Sequence, residues 1–176
     1  MCIEKRHNYA RLVFGQGYVN KDYAYHLFGL YSNYIGMEKP YHYEYLDNRT
    51  EKVYTSIKFK TYSLLCFNEF YSLFYVNGKK IIPHNIEELL TPAGMAYWAM
   101  DDGNKFKNNF KFSTNSYTKE EVQLLVNALK IKFGLDCSIH NFGKEQFTIY
   151  IKSNSMDKFK DLVSPYFHDS MRYKLD

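Results

Sequence analysis

LTPAGMAYWAMDDGNKF, Leu90 to Phe106, reads as one helix whose apolar face stops abruptly at two carboxylates and a glycine. The helix is expected over Thr91–Asp102. Acidic side chains at a helix C-terminus oppose the helix dipole, so Asp101-Asp102-Gly103 is not the arrangement that local stability favours. A bland reading remains, an acidic helix end with a glycine stop. The sharper reading is that the pair was placed there for chemistry, because carboxylates in unfavourable settings mark sites. Trp98, the single tryptophan, sits where a core residue is expected.

Working outward, the chain repeats itself. Asn20–Gly36 and Thr118–Gly134 share an amphipathic helix pattern ending in glycine, at an offset of 98 positions. Lys21 then meets Lys119, Asp22 meets Glu120, and Phe14 meets Phe112. Further along, IKFKTYS (57–63) resembles IYIKSNS (149–155), and FNEFYSLFY (67–75) resembles FKDLVSPYF (159–167), now at an offset of 92. The difference is absorbed by a longer hairpin in the first copy around Leu46–Lys52, where Asp-Asn and Arg-Thr are turn chemistry. The second copy reads helix, two strands near 105–107 and 110–114, helix, a hairpin at 137–141 and 146–152, and a closing helix from Ser155. The first copy is expected to begin only at its second strand, Ala10–Phe14. The fold class is therefore α+β: tandem pseudo-symmetric αββαββα repeats with antiparallel β-saddles, the first truncated at its N-terminus. The half-repeats are drawn at 1–82 and 83–176.

Composition adds bounds. The hydrophobic fraction of 45% supports a packed interior, and 18 Tyr and 14 Phe with abundant Lys and Asn point to A/T-rich, organellar coding. Three scattered cysteines fit neither a disulfide framework nor a zinc site, which implies a reducing compartment. No apolar run approaches a membrane span, and the N-terminal residues lack the features of a signal or transit peptide. A net charge of +4 does not by itself announce nucleic acid, so the placement of the lysines matters more than their number.

AYWAMDDG, preceded by LTP and KKIIPHNIEE, resembles the second signature motif of the LAGLIDADG homing endonucleases, and the doubled plan extends that resemblance along nearly the whole chain. The resemblance implies two signature helices at a pseudo-twofold axis, each bringing an acid to divalent metal over a scissile phosphate, and sheets that lie in the DNA major groove. Carried over, the acid and metal ligand is Asp102, and the assisting lysines are Lys80 in GKKIIP and Lys174 in RYKLD. The partner acid is where this sequence departs. At the offset of 98 it would be Glu4, outside any helix pattern, and it is not credited. Mg²⁺ is expected only if the site is catalytic, since a lone carboxylate holds it weakly. The stripe Gly94, Met95, Ala96, Ala99 is expected to need a partner chain or surface to cover it.

The strand Glu51–Tyr62 alternates, with Val53, Thr55, Ile57 and Phe59 on one side and Lys52, Tyr54, Ser56, Lys58 and Lys60 on the other. Lys107 and Lys111 in the second copy, and Tyr150 and Lys152 in the last hairpin, are placed likewise. Such faces suit phosphate and base contacts. Tyr41, Tyr43 and Tyr45 suit base stacking and equally suit a sheet core. The resulting expectation is a degenerate, non-cleaving relative of the family, in a mitochondrion or other organelle. It would bind structured RNA as a ribonucleoprotein part, such as a component of the ribosome, or as an intron splicing helper. The alternative is a Mg²⁺-dependent DNA endonuclease completed by a second chain or by dimerisation.

Overall fold

The computed structural model describes residues 2–6, 8–143 and 145–176, with the side chain of Arg6 left aside. It forms two compact units, one running to Tyr75 and the other from Val76. This division falls ahead of the 82/83 junction drawn from the sequence. No helix among the described residues is long and apolar enough to cross a membrane.

The first unit is a four-stranded antiparallel sheet, in the order β1-β2-β4-β3, with two helices. Its elements are β1 (Cys2–Arg6), β2 (Tyr9–Gly17), α1 (Lys21–Leu30), β3 (Tyr41–Asp47), β4 (Lys52–Lys60) and α2 (Cys66–Phe74). Ala10, Leu12 and Phe14 of β2 alternate inward with Ile57 and Phe59 of β4, and all five are buried. Phe14 stacks on Phe59 at 4.5 Å between ring centroids. A short hairpin follows, β5 (Tyr75–Val76) and β6 (Lys79–Lys80), turned by Asn77 and Gly78, both at positive φ.

The second unit repeats the plan. After the single turn α3 (Ile86–Leu89) come α4 (Pro92–Asp102), β7 (Gly103–Phe106), β8 (Asn109–Ser113), α5 (Lys119–Phe133), β9 (Cys137–Asn141), β10 (Phe147–Ile151) and α6 (Met156–Val163). Its sheet runs β7-β8-β10-β9, the same order as the first. The start of α5 is set by a capping box: the Glu121 N–H donates to Thr118 Oγ1 while the Thr118 N–H donates to Glu121 Oε2. Its end is set by Gly134 in the left-handed region at φ 61°.

The first copy differs from expectation in two ways. It possesses its first strand, β1, paired with β2 from Cys2↔Val13 to Arg6↔Tyr9. Five residues were too short a run for alternation to show. The helix expected over Asn20–Gly36 ends at Leu30, and Gly36 is not its cap. Gly36 is instead where the Tyr62 ring lies against the backbone, leaving no room for a Cβ. The hairpin registers, Arg6↔Tyr9 and Phe106↔Asn109, superpose the sheets at an offset of 100 rather than 98. Asp102 then corresponds to Cys2. Glu4 is a strand residue whose carboxylate accepts from Arg11 Nε at 3.0 Å.

Candidate functional site

The acidic helix end is built from α4. Thr91 Oγ1 accepts from the Gly94 N–H at 3.0 Å, and Pro92 occupies the first turn, where its missing N–H costs nothing. Met95, Ala96, Ala99 and Met100 are fully buried, and Trp98 stacks on Phe112 at 3.8 Å. Three of the residues expected to await a partner, Met95, Ala96 and Ala99, are thus already covered, with α6 and the turn after it packed on the helix. Gly94 alone of that stripe is exposed. The helix stops at Gly103, whose backbone is extended, and the residue there is glycine because a Cβ would strike the Phe110 ring and come within 2.6 Å of the Ala99 carbonyl oxygen.

This stop leaves Asp102 at the rim. The C-terminal 3-10 segment Asp169–Lys174 is anchored by buried Met171, and Leu175 is buried just beyond it. His168 N–H adds a contact to Met100 Sδ at 3.2 Å. Lys174 is thereby delivered to the helix end, where its ammonium donates to the Met100 carbonyl and, at 3.4 Å, to that of Asp101. The cation satisfies carbonyls that a helix terminus leaves without intrahelical partners. Lys80 arrives on the Asn77-Gly78 hairpin, just ahead of Ile82, whose N–H donates to Glu121 Oε1 at 3.2 Å. One acid, Glu121, therefore both caps α5 and fixes the segment beside Lys80.

The charges act on one another. Asp102 is exposed, yet protein packed about it reduces its hydration. That burial raises its pKa, helped by the charge of Asp101, while Lys80 and Lys174 pull it back. Lys174 is held below the usual lysine range by burial, with Asp101 and Asp102 opposing the shift. The three residues nominated from the motif are therefore assembled in one unit. Asp101, quoted with the motif but not nominated, belongs with them. Its adjacency to Asp102 was the available signal.

No three His, Cys, Asp or Glu side chains form a closed metal cage among the described residues. Asp102 is the residue that could hold a hard divalent ion here. Mg²⁺ keeps several waters and takes one or two carboxylates plus substrate phosphate oxygens, and an exposed carboxylate beside a second acid offers such a half-set.

The exposed face of the first sheet carries four of the other nominated residues, Lys52, Tyr54, Lys58 and Lys60. Across β3 and β4, Tyr41 pairs with Lys58, Tyr43 with Ser56, Tyr45 with Tyr54 and Asp47 with Lys52, all on the side opposite Ile57 and Phe59. Lys52, Tyr54 and Lys60 are exposed and Lys58 is half-buried. Lys58 Nζ lies 4.3 Å from the Tyr43 ring centroid, and hydrogen bonding between the two raises the lysine pKa and lowers the tyrosine's. Val53 is 64% exposed, so the apolar side of this hairpin runs past the core.

In the second sheet the placements are mixed. Lys111 is half-buried, 5.5 Å from the Phe142 ring. Lys107 lies in the β7–β8 turn at φ 55° rather than on a strand. Tyr150 is only 4% exposed, covered by His140 and Phe106 with ring centroids at 4.3 and 5.3 Å. Lys152 is ion-paired with Asp136 at 3.1 Å. Alternation implied one polar and one apolar face, but all five residues of β10 are buried, because the pattern carries no information about which neighbours cover a face.

Known proteins agree with this geometry. The family model described as the LAGLIDADG DNA endonuclease family matches residues 1–159. The cytochrome b mRNA maturase bI2 of Debaryomyces hansenii is 38% identical over 125 residues, covering 70% of this chain and 48% of the relative. That of Saccharomyces cerevisiae is 37% identical over 175 residues, covering 94% and 41%. This chain spans less than half the length of either maturase. A solved structure of the homing endonuclease I-WcaI bound to its DNA recognition sequence superposes with a TM-score of 0.92 at 32% identity, covering 99% of this chain and 80% of that one. The sheet order, the acidic helix end and these likenesses together place the chain in the LAGLIDADG DNA endonuclease family.

Proposed function

We propose that this chain is a nucleic-acid-binding protein of the intron maturase and endonuclease kind, working in an organelle as a splicing helper on intron RNA. The observation that carries the reading is the lysine and tyrosine face of the first sheet, where Lys52, Lys58 and Lys60 share one side with four tyrosines. Phosphate contacts from such lysines position the nucleic acid, and the remaining groups meet bases and sugars. The likeness to two mRNA maturases favours the splicing role over a ribosomal one, which nothing in the chain supports.

In the same reading α4 is the second signature helix of the family, and Asp102, flanked by Lys80 and Lys174, is one half of a cleavage centre. Asp102 would hold Mg²⁺, which supplies charge stabilisation at a phosphodiester. Lys174 keeps the helix end in place and, with Lys80, presents positive charge toward the phosphate. A complete centre needs a second acidic helix, either from sequence ahead of residue 1 or from another chain. Likeness to the DNA-bound endonuclease keeps that second reading in view.

Binding titrations over a range of salt test the proposal. Structured intron RNA should bind with a steep salt dependence. Changing Lys52, Lys58 and Lys60 to Gln should each reduce the slope of log K against log salt by about 1. Slopes unchanged in all three variants would refute this face as the interface.

A further inference from the structure

The outermost strand of the first sheet carries an aromatic row that phosphate binding does not explain. Tyr41, Tyr43 and Tyr45 occupy alternate positions of β3 on one face, and Tyr54 stands across from Tyr45 on β4. Successive ring centroids are 6.3, 5.9 and 6.0 Å apart, with planes tilted by 43°, 28° and 32°. Core rings of the same unit behave differently: Phe14 and Phe59 lie at 4.5 Å and 10° with both residues buried. The row is therefore not in close face contact with itself, and Tyr41, Tyr45 and Tyr54 remain 48%, 45% and 40% exposed. An exposed aromatic row on an edge strand is an aggregation hazard, which a purely structural role would have reason to avoid.

We propose that the Tyr41–Tyr43–Tyr45 row is a stacking platform for unpaired bases of an RNA, with Lys58 holding the adjoining phosphate. The proposal rests on the nucleic-acid-binding reading above and names the form of nucleic acid that this part of the face takes. A paired duplex presents base edges in its grooves and keeps its base faces within the stack. Unpaired bases present their faces and stack on aromatic side chains, with a basic groove following the backbone. Among the described residues no strand lies beyond β3, so a single strand can run along the row. Beyond Tyr45 the charge is balanced: Arg49, at the β3–β4 turn with its side chain 85% exposed, pairs with Asp47 at 3.7 Å. RNA is chosen over single-stranded DNA because structured RNA displays its unpaired bases in loops and bulges.

The test compares the full chain with a triple variant, Tyr41→Leu/Tyr43→Leu/Tyr45→Leu, and its Phe counterpart. The probes are an unpaired 5-bromouridine RNA oligonucleotide, the matching single-stranded DNA, and duplexes of each. Irradiation of the wild-type complex with the RNA should crosslink at these tyrosines. The Leu variant should bind unpaired RNA at least tenfold more weakly and duplexes less than threefold more weakly, while the Phe variant, which keeps the rings, stays within threefold of wild type. Equal loss on duplex and unpaired probes, crosslinks confined to other residues, or tighter binding of the single-stranded DNA would overturn the proposal. Wild-type protein that binds none of the four probes would instead contradict the underlying reading. The crosslink map stands even if the Leu variant fails to fold.

Discussion

The ammonium of Lys174, two residues before the last position, donates to the main-chain carbonyl of Met100, two residues before Asp102. The end of the chain thus closes the helix that presents the acid. Lys174→Ala removes a partly buried charged hydrogen bond and should cost about 2 kcal/mol of stability, read by urea denaturation. It should also raise the Asp102 pKa further, since one of the cations opposing the shift is lost. An unchanged midpoint would show that the contact contributes nothing.

Asp102 itself should cost stability. A carboxyl whose folded pKa stands above its unfolded value binds its proton more tightly when folded. Its contribution therefore favours folding at low pH and is lost as pH rises through the folded pKa. Asp102→Asn should raise Tm at pH 7, and the gain should shrink as pH falls toward 4. A variant less stable than wild type at pH 7 would contradict the burial and like-charge account.

Gly103 is required by space rather than by φ, which is an ordinary −97°. Gly103→Ala should destabilise the chain by about 2–3 kcal/mol, because both the Phe110 ring and the Ala99 carbonyl are fixed. Gly36→Ala should cost clearly less. There the obstacle is the Tyr62 side chain, which is 55% exposed and free to swing away. Chemical denaturation of the two variants side by side gives the comparison.

The cysteines should separate by reactivity. Cys2 and Cys66 are exposed, while burial pushes the Cys137 thiol up to about 12. A thiol-reactive dye at pH 8 should label two sites rapidly and the third only on unfolding, as read by peptide mass analysis.

The local signals in α4 and α5 were strong enough to read directly. LTP and DDG bounded α4 to within one residue, and TKEE with Gly134 marked both ends of α5. Elsewhere the same signals misled. Gly36 looked like Gly134, yet one makes room for a ring and the other turns a helix, and sequence alone does not distinguish a glycine needed for space from one needed for φ. Burial of Tyr150 and pairing of Lys152 depend on His140, Phe106 and Asp136, which come from other strands and loops. Asp102, Lys80 and Lys174, carried over from the motif, fall in one unit and act on one another electrostatically. The role of Glu121 in fixing the segment beside Lys80 depends on a tertiary contact that no local pattern announces.

The central claim is that this chain holds intron RNA on its first sheet without needing Asp102 to do so. Crosslinking in the native compartment, followed by sequencing of the recovered nucleic acid, tests it most directly. The account predicts one intron RNA, lost with Lys58→Glu/Lys60→Glu and kept with Asp102→Asn. Recovery of a discrete duplex DNA site, nicked in a Mg²⁺-dependent reaction that Asp102→Asn abolishes, would contradict it.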